Sequence, residues 1–270
     1  MSTPALQVQG IDVFVEGDGP STIVMLHGWP DTHHLWDGMV AALSPQHRCV
    51  RFTLPGFDAP NSSPARTLGD ITRLLLAIVD AVSPKQPVTL LLHDWGCMFG
   101  YELAAQHPQR VARIVAIDIG DYNSSAYLAS LRGSEKLQIL GYQLWLALAW
   151  GLGRVGAVSI ANRMTRWMAR ALRCPAPQAN IAWHMNYPYA MAWFGLGGGL
   201  RGAAQVQPQC PVLYAYGTRK PFMFQSPQWL ARLEAAPGSK VHPHACGHWV
   251  MVQQAQALEA QVVAYCSGAI

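Results

Sequence analysis

The 270-residue chain has little charge: Asp, Glu, Lys and Arg make up 13% of it, against 51% apolar residues. About a quarter charged is usual, so this chain can bury a large core and line an apolar pocket as well. Its 19 basic residues are scattered, with no Lys/Arg run, and the net charge is only +4. That excludes the basic footprint expected of a nucleic-acid partner. The six cysteines (Cys49, Cys97, Cys174, Cys210, Cys246 and Cys266) include no C-x-x-C. They read as reduced, mostly buried thiols, neither a zinc site nor a disulfide framework. No metal or other cofactor is implied. The opening stretch MSTPALQVQGIDVFVEGDGP has no basic n-region and no apolar h-region, so a cytoplasmic location is expected. Long apolar runs are missing too, with one near exception. Leu137 to Gly153 carries no charge over 17 residues but holds two glutamines and three glycines, and a bilayer span needs about 20 residues. A buried helix or pocket wall is expected there. The same segment would serve dimerisation, as a homodimer, or contact with a membrane surface.

What the chain does have is alternation. Ile23 to Leu26, His47 to Leu54, Val88 to Leu92 and Ile114 to Ile117 read as strands. Helical patterns run from Leu68 to Val82 and from Gly96 to Gln106. This order predicts an α/β fold, with a mostly parallel central sheet flanked by helices. After Asp118 the alternation fails. Residues 121–206 look helical and loop-rich, with an Arg-rich helix near 163–173, and a strand returns at Pro211 to Gly217 before a final helix near His248. A core of residues 1–120 and 207–270 with a helical cap insertion at 121–206 is the expected organisation.

Ligands of open α/β sheets bind beyond the carboxyl ends of the strands. His27, Asp94, Asp118 and His248 all fall there. Each alone has an ordinary explanation, since a strand-end Asp often caps the next helix and a lone His is often structural. Their joint placement points to a site.

The run His93-Asp94-Trp95-Gly96 between strand and helix resembles the nucleophile elbow of the α/β-hydrolase fold. His27-Gly28-Trp29-Pro30-Asp31 is similar to the family's oxyanion-hole loop, and Cys246-Gly247-His248-Trp249 to the loop carrying its histidine. The resemblance covers the core and implies Asp94 as nucleophile and His248 as general base, with backbone N–H groups of Trp29 and Trp95 as the oxyanion hole. An aspartate at the elbow implies attack on an sp³ carbon through an aspartyl ester, because a carboxylate is already anionic at neutral pH. Soluble epoxide hydrolases and haloalkane dehalogenases work this way. Most relatives carry the third triad member in a G-x-x-D, but here that stretch reads Gly217-Thr218-Arg219-Lys220. Asp118, 24 residues beyond Asp94, takes the role by analogy with one dehalogenase group, and Asp121 is the fallback.

An epoxide needs O–H donors for its opening oxygen, whereas a halide needs N–H donors. Asn186-Tyr187-Pro188-Tyr189 resembles the tyrosine-bearing stretch of an epoxide-hydrolase cap, and Tyr142 could offer a second phenol. HGWP leans the same way. Leu92, where epoxide hydrolases usually have glycine, and the early acid Asp118 lean towards dehalogenases. Trp95 replaces the arginine of a fluoroacetate dehalogenase. With Trp95 and Trp249 as further pocket aromatics, the expected activity is an epoxide hydrolase using water on a small apolar substrate. The alternatives are a carbon–halide hydrolase and a catalytically silent relative that binds a ligand or partner.

Overall fold

The computed structural model describes residues 4–58 and 67–268. One sheet contains β1 (Leu6–Val8), β2 (Ile11–Glu16), β3 (Thr22–Leu26), β4 (Arg48–Phe52), β5 (Val88–His93), β6 (Val111–Ile117), β7 (Val212–Gly217) and β8 (Lys240–His244), in the order β1-β2-β4-β3-β5-β6-β7-β8. The β1–β2 and β2–β4 pairs are antiparallel, and the remaining five are parallel. Helices α1 (Asp37–Leu43), α2 (Leu68–Val82) and α3 (Trp95–Gln106) belong to the first half of the chain. Between β6 and β7 lie α4 (Ser125–Ser130), α5 (Gly133–Arg154), α6 (Val158–Ala171) and α7 (Tyr187–Phe194), and α8 (Pro227–Ala235), α9 (Val250–Gln253) and α10 (Ala255–Cys266) follow.

Every residue of β3 and β5 is buried, the mark of central parallel strands covered on both faces. Side chains alternate between two cores. Val24, Leu26, Leu90 and Leu92 pack with α2 and α3 on one face, while Ile23, Met25 and Leu91 pack with α1 and α10 on the other. Helix α2 begins at a capping box, in which Thr67 accepts from the Asp70 N–H and Asp70 reaches back. No described helix is long and apolar enough to cross a membrane.

The β1–β2 hairpin and β8 are among the elements that escape the sequence reading. The β1–β2 hairpin turns on Gln9 and Gly10, both at positive φ (48° and 82°), which is the requirement of a tight type I′ turn. Strand β8 reads KVHPH, whose lysine, histidines and proline mark a sheet edge and obscure the strand pattern. The final helix, expected near His248, starts at Val250 and breaks at Gln254 before α10.

Leu92 also finds its explanation here. Its side chain crosses towards α3 at Gly100, where an added Cβ would lie 2.5 Å from Leu92 Cδ2. The small residue that lets helix and strand approach therefore sits on the helix side of the contact. Gly100→Ala should cost about 1–3 kcal/mol through overpacking. Adding Leu92→Ala should recover part of that loss, so chemical denaturation of the two singles and the double should reveal a favourable coupling. Additive losses would refute this pairing.

Candidate active site

Asp94 stands between β5 and α3 at φ 52°, ψ −124°, a conformation that costs a non-glycine residue about 1–3 kcal/mol. Tight packing holds it there. A Cβ on Gly96 would lie 2.4 Å from the Leu26 carbonyl oxygen, and one on Gly28 would lie 2.3 Å from Asp94 Oδ1. Both glycines are needed for close approach. Trp29 follows Gly28, and its backbone N–H donates to Asp94 Oδ1 at 2.7 Å. The Trp95 N–H opens α3, where no intrahelical acceptor is available to it, and it lies beside Gly28, where an added Cβ would come within 2.6 Å of the Trp95 nitrogen. His27, fully buried beneath this loop, accepts from the Leu54 N–H at 2.8 Å and bonds the Gly28 carbonyl at 2.9 Å. Burial lowers its pKa to about 4, so it is a neutral structural pin.

His248 Nε2 lies 3.5 Å from Asp94 Oδ2, and its Nδ1 pairs with Asp118 Oδ2. Asp118 is fully buried at φ 73° beyond β6, where it accepts from the Gly217 N–H at 2.9 Å and pairs with Lys220. Asp121 is placed differently. Its oxygens accept from the Ser226 N–H, Ser226 Oγ and Ser124 Oγ, at 2.7, 2.7 and 2.5 Å. They brace the start of α8, and the fallback acid has no bond to His248.

Burial by itself would raise the Asp94 carboxyl pKa, but the hydrogen bond and charge of His248 outweigh it and hold the group below its usual range. Asp118 is likewise lowered: burial opposes, and the Lys220 and His248 charges prevail. For His248, burial pulls down while the Asp118 charge and hydrogen bond, then Asp94, lift the pKa to about 9. The imidazole is therefore a cation between two carboxylates at neutral pH.

A cavity of about 710 Å³ opens over Asp94 and His248, with Trp29, Tyr142, Tyr189 and Trp249 in its wall. Tyr142 and Tyr189 meet edge to face at 6.1 Å. Burial, reinforced by the Asp94 charge, raises both phenol pKa values, so both keep their protons at neutral pH. Tyr187 does not line the cavity. Its ring packs edge-on against Phe57 at 5.7 Å, because residues two apart at a helix start point different ways. Trp95 also departs from the expected wall, standing behind Tyr189 with the rings perpendicular at 5.2 Å. Trp249 borders His248 at 4.9 Å and donates its indole N–H to buried Asp31 at 2.9 Å.

A model of the alpha/beta hydrolase fold matches residues 21–255. The chain belongs to the α/β-hydrolase fold family. The cis-3-alkyl-4-alkyloxetan-2-one decarboxylase of Xanthomonas campestris is 29% identical over 183 residues, covering 62% of this chain and 57% of that protein. Epoxide hydrolase srdG of Neurospora crassa is 33% identical over 130 residues, covering 46% of this chain and 38% of that one. The matches span 16% to 57% of the length of these and other curated relatives. Among solved structures, a mutant of an epoxide hydrolase from Bacillus megaterium, complexed with its product, superposes with a TM-score of 0.72 at 18% identity, covering 97% of this chain and 99% of that one. At this identity the likeness speaks for the fold.

Within this α/β-hydrolase site, two contributors were not assigned a role from the sequence. Lys220 is more than a missing acid: its ammonium now holds Asp118. Asn186 accepts the Trp29 indole N–H at 2.8 Å and donates to Thr165 at 2.8 Å, tying the Trp29 loop to α6. The signal for Lys220 was a charge reversal at the vacated position. Asn186 carried none beyond its proximity to the tyrosines.

Proposed function

We propose that the protein is a hydrolase acting at an sp³ carbon through a covalent aspartyl ester, with an epoxide as its substrate. One observation carries the choice of leaving group. Two phenols, Tyr142 and Tyr189, line the cavity with Asp94, while the nearby indole N–H groups are engaged elsewhere. Trp29 Nε1 donates to Asn186, and the Trp95 side chain hydrogen-bonds Tyr189. The phenol oxygens accept from Gln143 (3.0 Å, at Tyr142) and Trp95 (at Tyr189), which leaves each O–H proton to meet a ring oxygen, whereas the indole N–H groups a halide would need are already donated.

In this reading Asp94 Oδ2, the oxygen on the His248 side, attacks an epoxide carbon and the C–O bond breaks. A phenol of Tyr142 or Tyr189 gives its proton to the departing alkoxide and is later reprotonated from solvent. Asp94 Oδ1 becomes the ester carbonyl oxygen, already held by the Trp29 N–H. Esterification also removes one of the two anions that keep His248 protonated. Its pKa must then fall below about 9, which frees the imidazole to take a proton from water as that water attacks the ester carbonyl. Collapse of the tetrahedral species breaks the bond from the Asp94 carboxyl carbon to Oδ2, the His248 imidazolium protonates the departing alkoxide, and the diol leaves with Asp94 restored as a carboxylate.

The substrate in the name of the Xanthomonas relative is another strained oxygen ring, an oxetan-2-one, so ring strain is the shared chemistry. A carbon–halide hydrolase is the second reading, favoured by the position of Asp118 after β6. The test is a turnover panel of terminal epoxides, 1-haloalkanes and a cis-3,4-dialkyl oxetan-2-one. Tyr142→Phe and Tyr189→Phe should each lower kcat on an epoxide, by roughly 10²-fold for the better-placed donor. Tyr187→Phe should leave it unchanged. Turnover of haloalkanes alone, indifferent to both phenols, would overturn the epoxide assignment.

A further inference from the structure

We propose that the outward face of α5 and α6 docks the protein on an anionic lipid surface, independently of the chemistry at Asp94. The apolar run of α5 has an outer stripe that the fold leaves uncovered. Trp145 and Leu148 on α5, with Ile160 and Trp167 on α6, are between 37% and 54% exposed. The two helices join there: the Trp145 and Trp167 rings lie 5.2 Å apart, and Trp145 donates its indole N–H to the Met164 carbonyl at 3.1 Å. The patch is thus a fixed feature of two packed helices. Apolar surface contiguous across two helices is unusual on a protein that remains free in water. Tryptophan in particular suits a boundary with a wet side and an apolar side.

Charge decides what covers it. Residues 121–206 hold eight Lys and Arg against two acids, a net +6, while the rest of the chain is −2. No acidic residue occurs between Glu135 and Glu234. On α6, Arg163 and Arg170 are exposed in the same helical row as Ile160 and Trp167, and neither has an ion pair among the described residues. A two-fold dimer through this face would set the patch against its own copy, bringing cation against cation with no acid to answer. Interspersed aromatics and arginines instead match the interfacial zone of an anionic bilayer, where rings enter the headgroup boundary and guanidinium groups meet phosphates. Helix α6 ends at Ala171, and Ala171, Leu172 and Arg173 border the cavity. A docked molecule would hold that edge of its cavity near the lipid, from which an apolar substrate could enter.

The test is sedimentation of the full chain with vesicles of phosphatidylcholine alone or with about a third phosphatidylglycerol. Binding should require the anionic lipid and weaken with salt. Arg163→Gln with Arg170→Gln should lower the partition coefficient about 25-fold, near fivefold per charge, leaving activity on a water-soluble substrate intact. Trp167→Ser should also weaken binding, and the wild-type tryptophan emission should shift to the blue on vesicles. Equal partition onto neutral and anionic vesicles would overturn the proposal, as would no partition at all. So would a salt-insensitive dimer in sedimentation equilibrium that Trp167→Ser dissociates.

Discussion

His248→Gln is expected to consume one equivalent of an epoxide and then stop. The mass of the substrate should appear on the peptide containing Asp94. Alkylation needs only the carboxylate, whose Oδ1 is held at 2.7 Å by the Trp29 N–H, and a proton for the leaving oxygen. Neither comes from His248. Hydrolysis of the ester does need a base, and His248 is the side chain whose ring nitrogen faces Asp94, at 3.5 Å. Glutamine can hydrogen-bond a water but cannot take its proton, so steady-state turnover should fall roughly 10²- to 10⁴-fold while the first step survives. The pH dependence of the wild type carries a linked signature. The resting imidazole has a pKa of about 9 because two carboxylates oppose the cost of its burial. In the ester only Asp118 remains charged, so ester hydrolysis should rise with pH and level off below that value. An adduct on another residue, or none at all, would remove Asp94 from the nucleophile's role.

The turns that carry the candidate residues were readable because they are local. His27-Gly28 and Asp94-Trp95-Gly96 combine a polar residue at a strand end with a glycine that permits close approach, and both features are spelled within five residues. Helix α2 was equally legible, since its capping Thr67 and apolar periodicity are contiguous in the chain. What escaped depends on contacts between distant segments. Leu92 departs from the family's glycine because Gly100, eight residues on, makes the room for it. Tyr187 and Tyr189 are two residues apart at the start of α7, yet one reaches the cavity and the other packs on Phe57. The direction of a helix's first turn is fixed by packing and leaves no mark in composition. Strand β8 failed to register because an edge strand can carry Lys, His and Pro where a central one cannot.

Asp118→Asn should damage the protein in two separable ways. The Asp118 carboxylate accepts from the Gly217 N–H and pairs with both His248 and Lys220, and the side chains of Asp118 and Lys220 are 0% and 6% exposed. A neutral amide would strand the Lys220 ammonium as a buried cation without a counter-ion, a loss of about 3–5 kcal/mol. It would also remove the anion that stabilises the His248 imidazolium. By donating to Nδ1, an amide would leave the proton on Nε2, the nitrogen that must accept one from water, and the catalytic loss should approach 10⁴-fold. Lys220→Met added to Asp118→Asn separates the two effects. The apolar side chain needs no counter-ion, so denaturant unfolding should show most of the lost stability restored, while turnover stays at the level of the single variant. A double variant no more stable than Asp118→Asn would mean that the Lys220 charge is not the source of the penalty. Full activity in Asp118→Asn would mean that His248 is oriented without this acid. The position Lys220 holds is the one where most relatives carry the acid. In the proposed assignment of the acid role to Asp118, the cation at 220 faces that carboxylate directly and helps hold its pKa down, so the two departures from the family pattern make one charge pair.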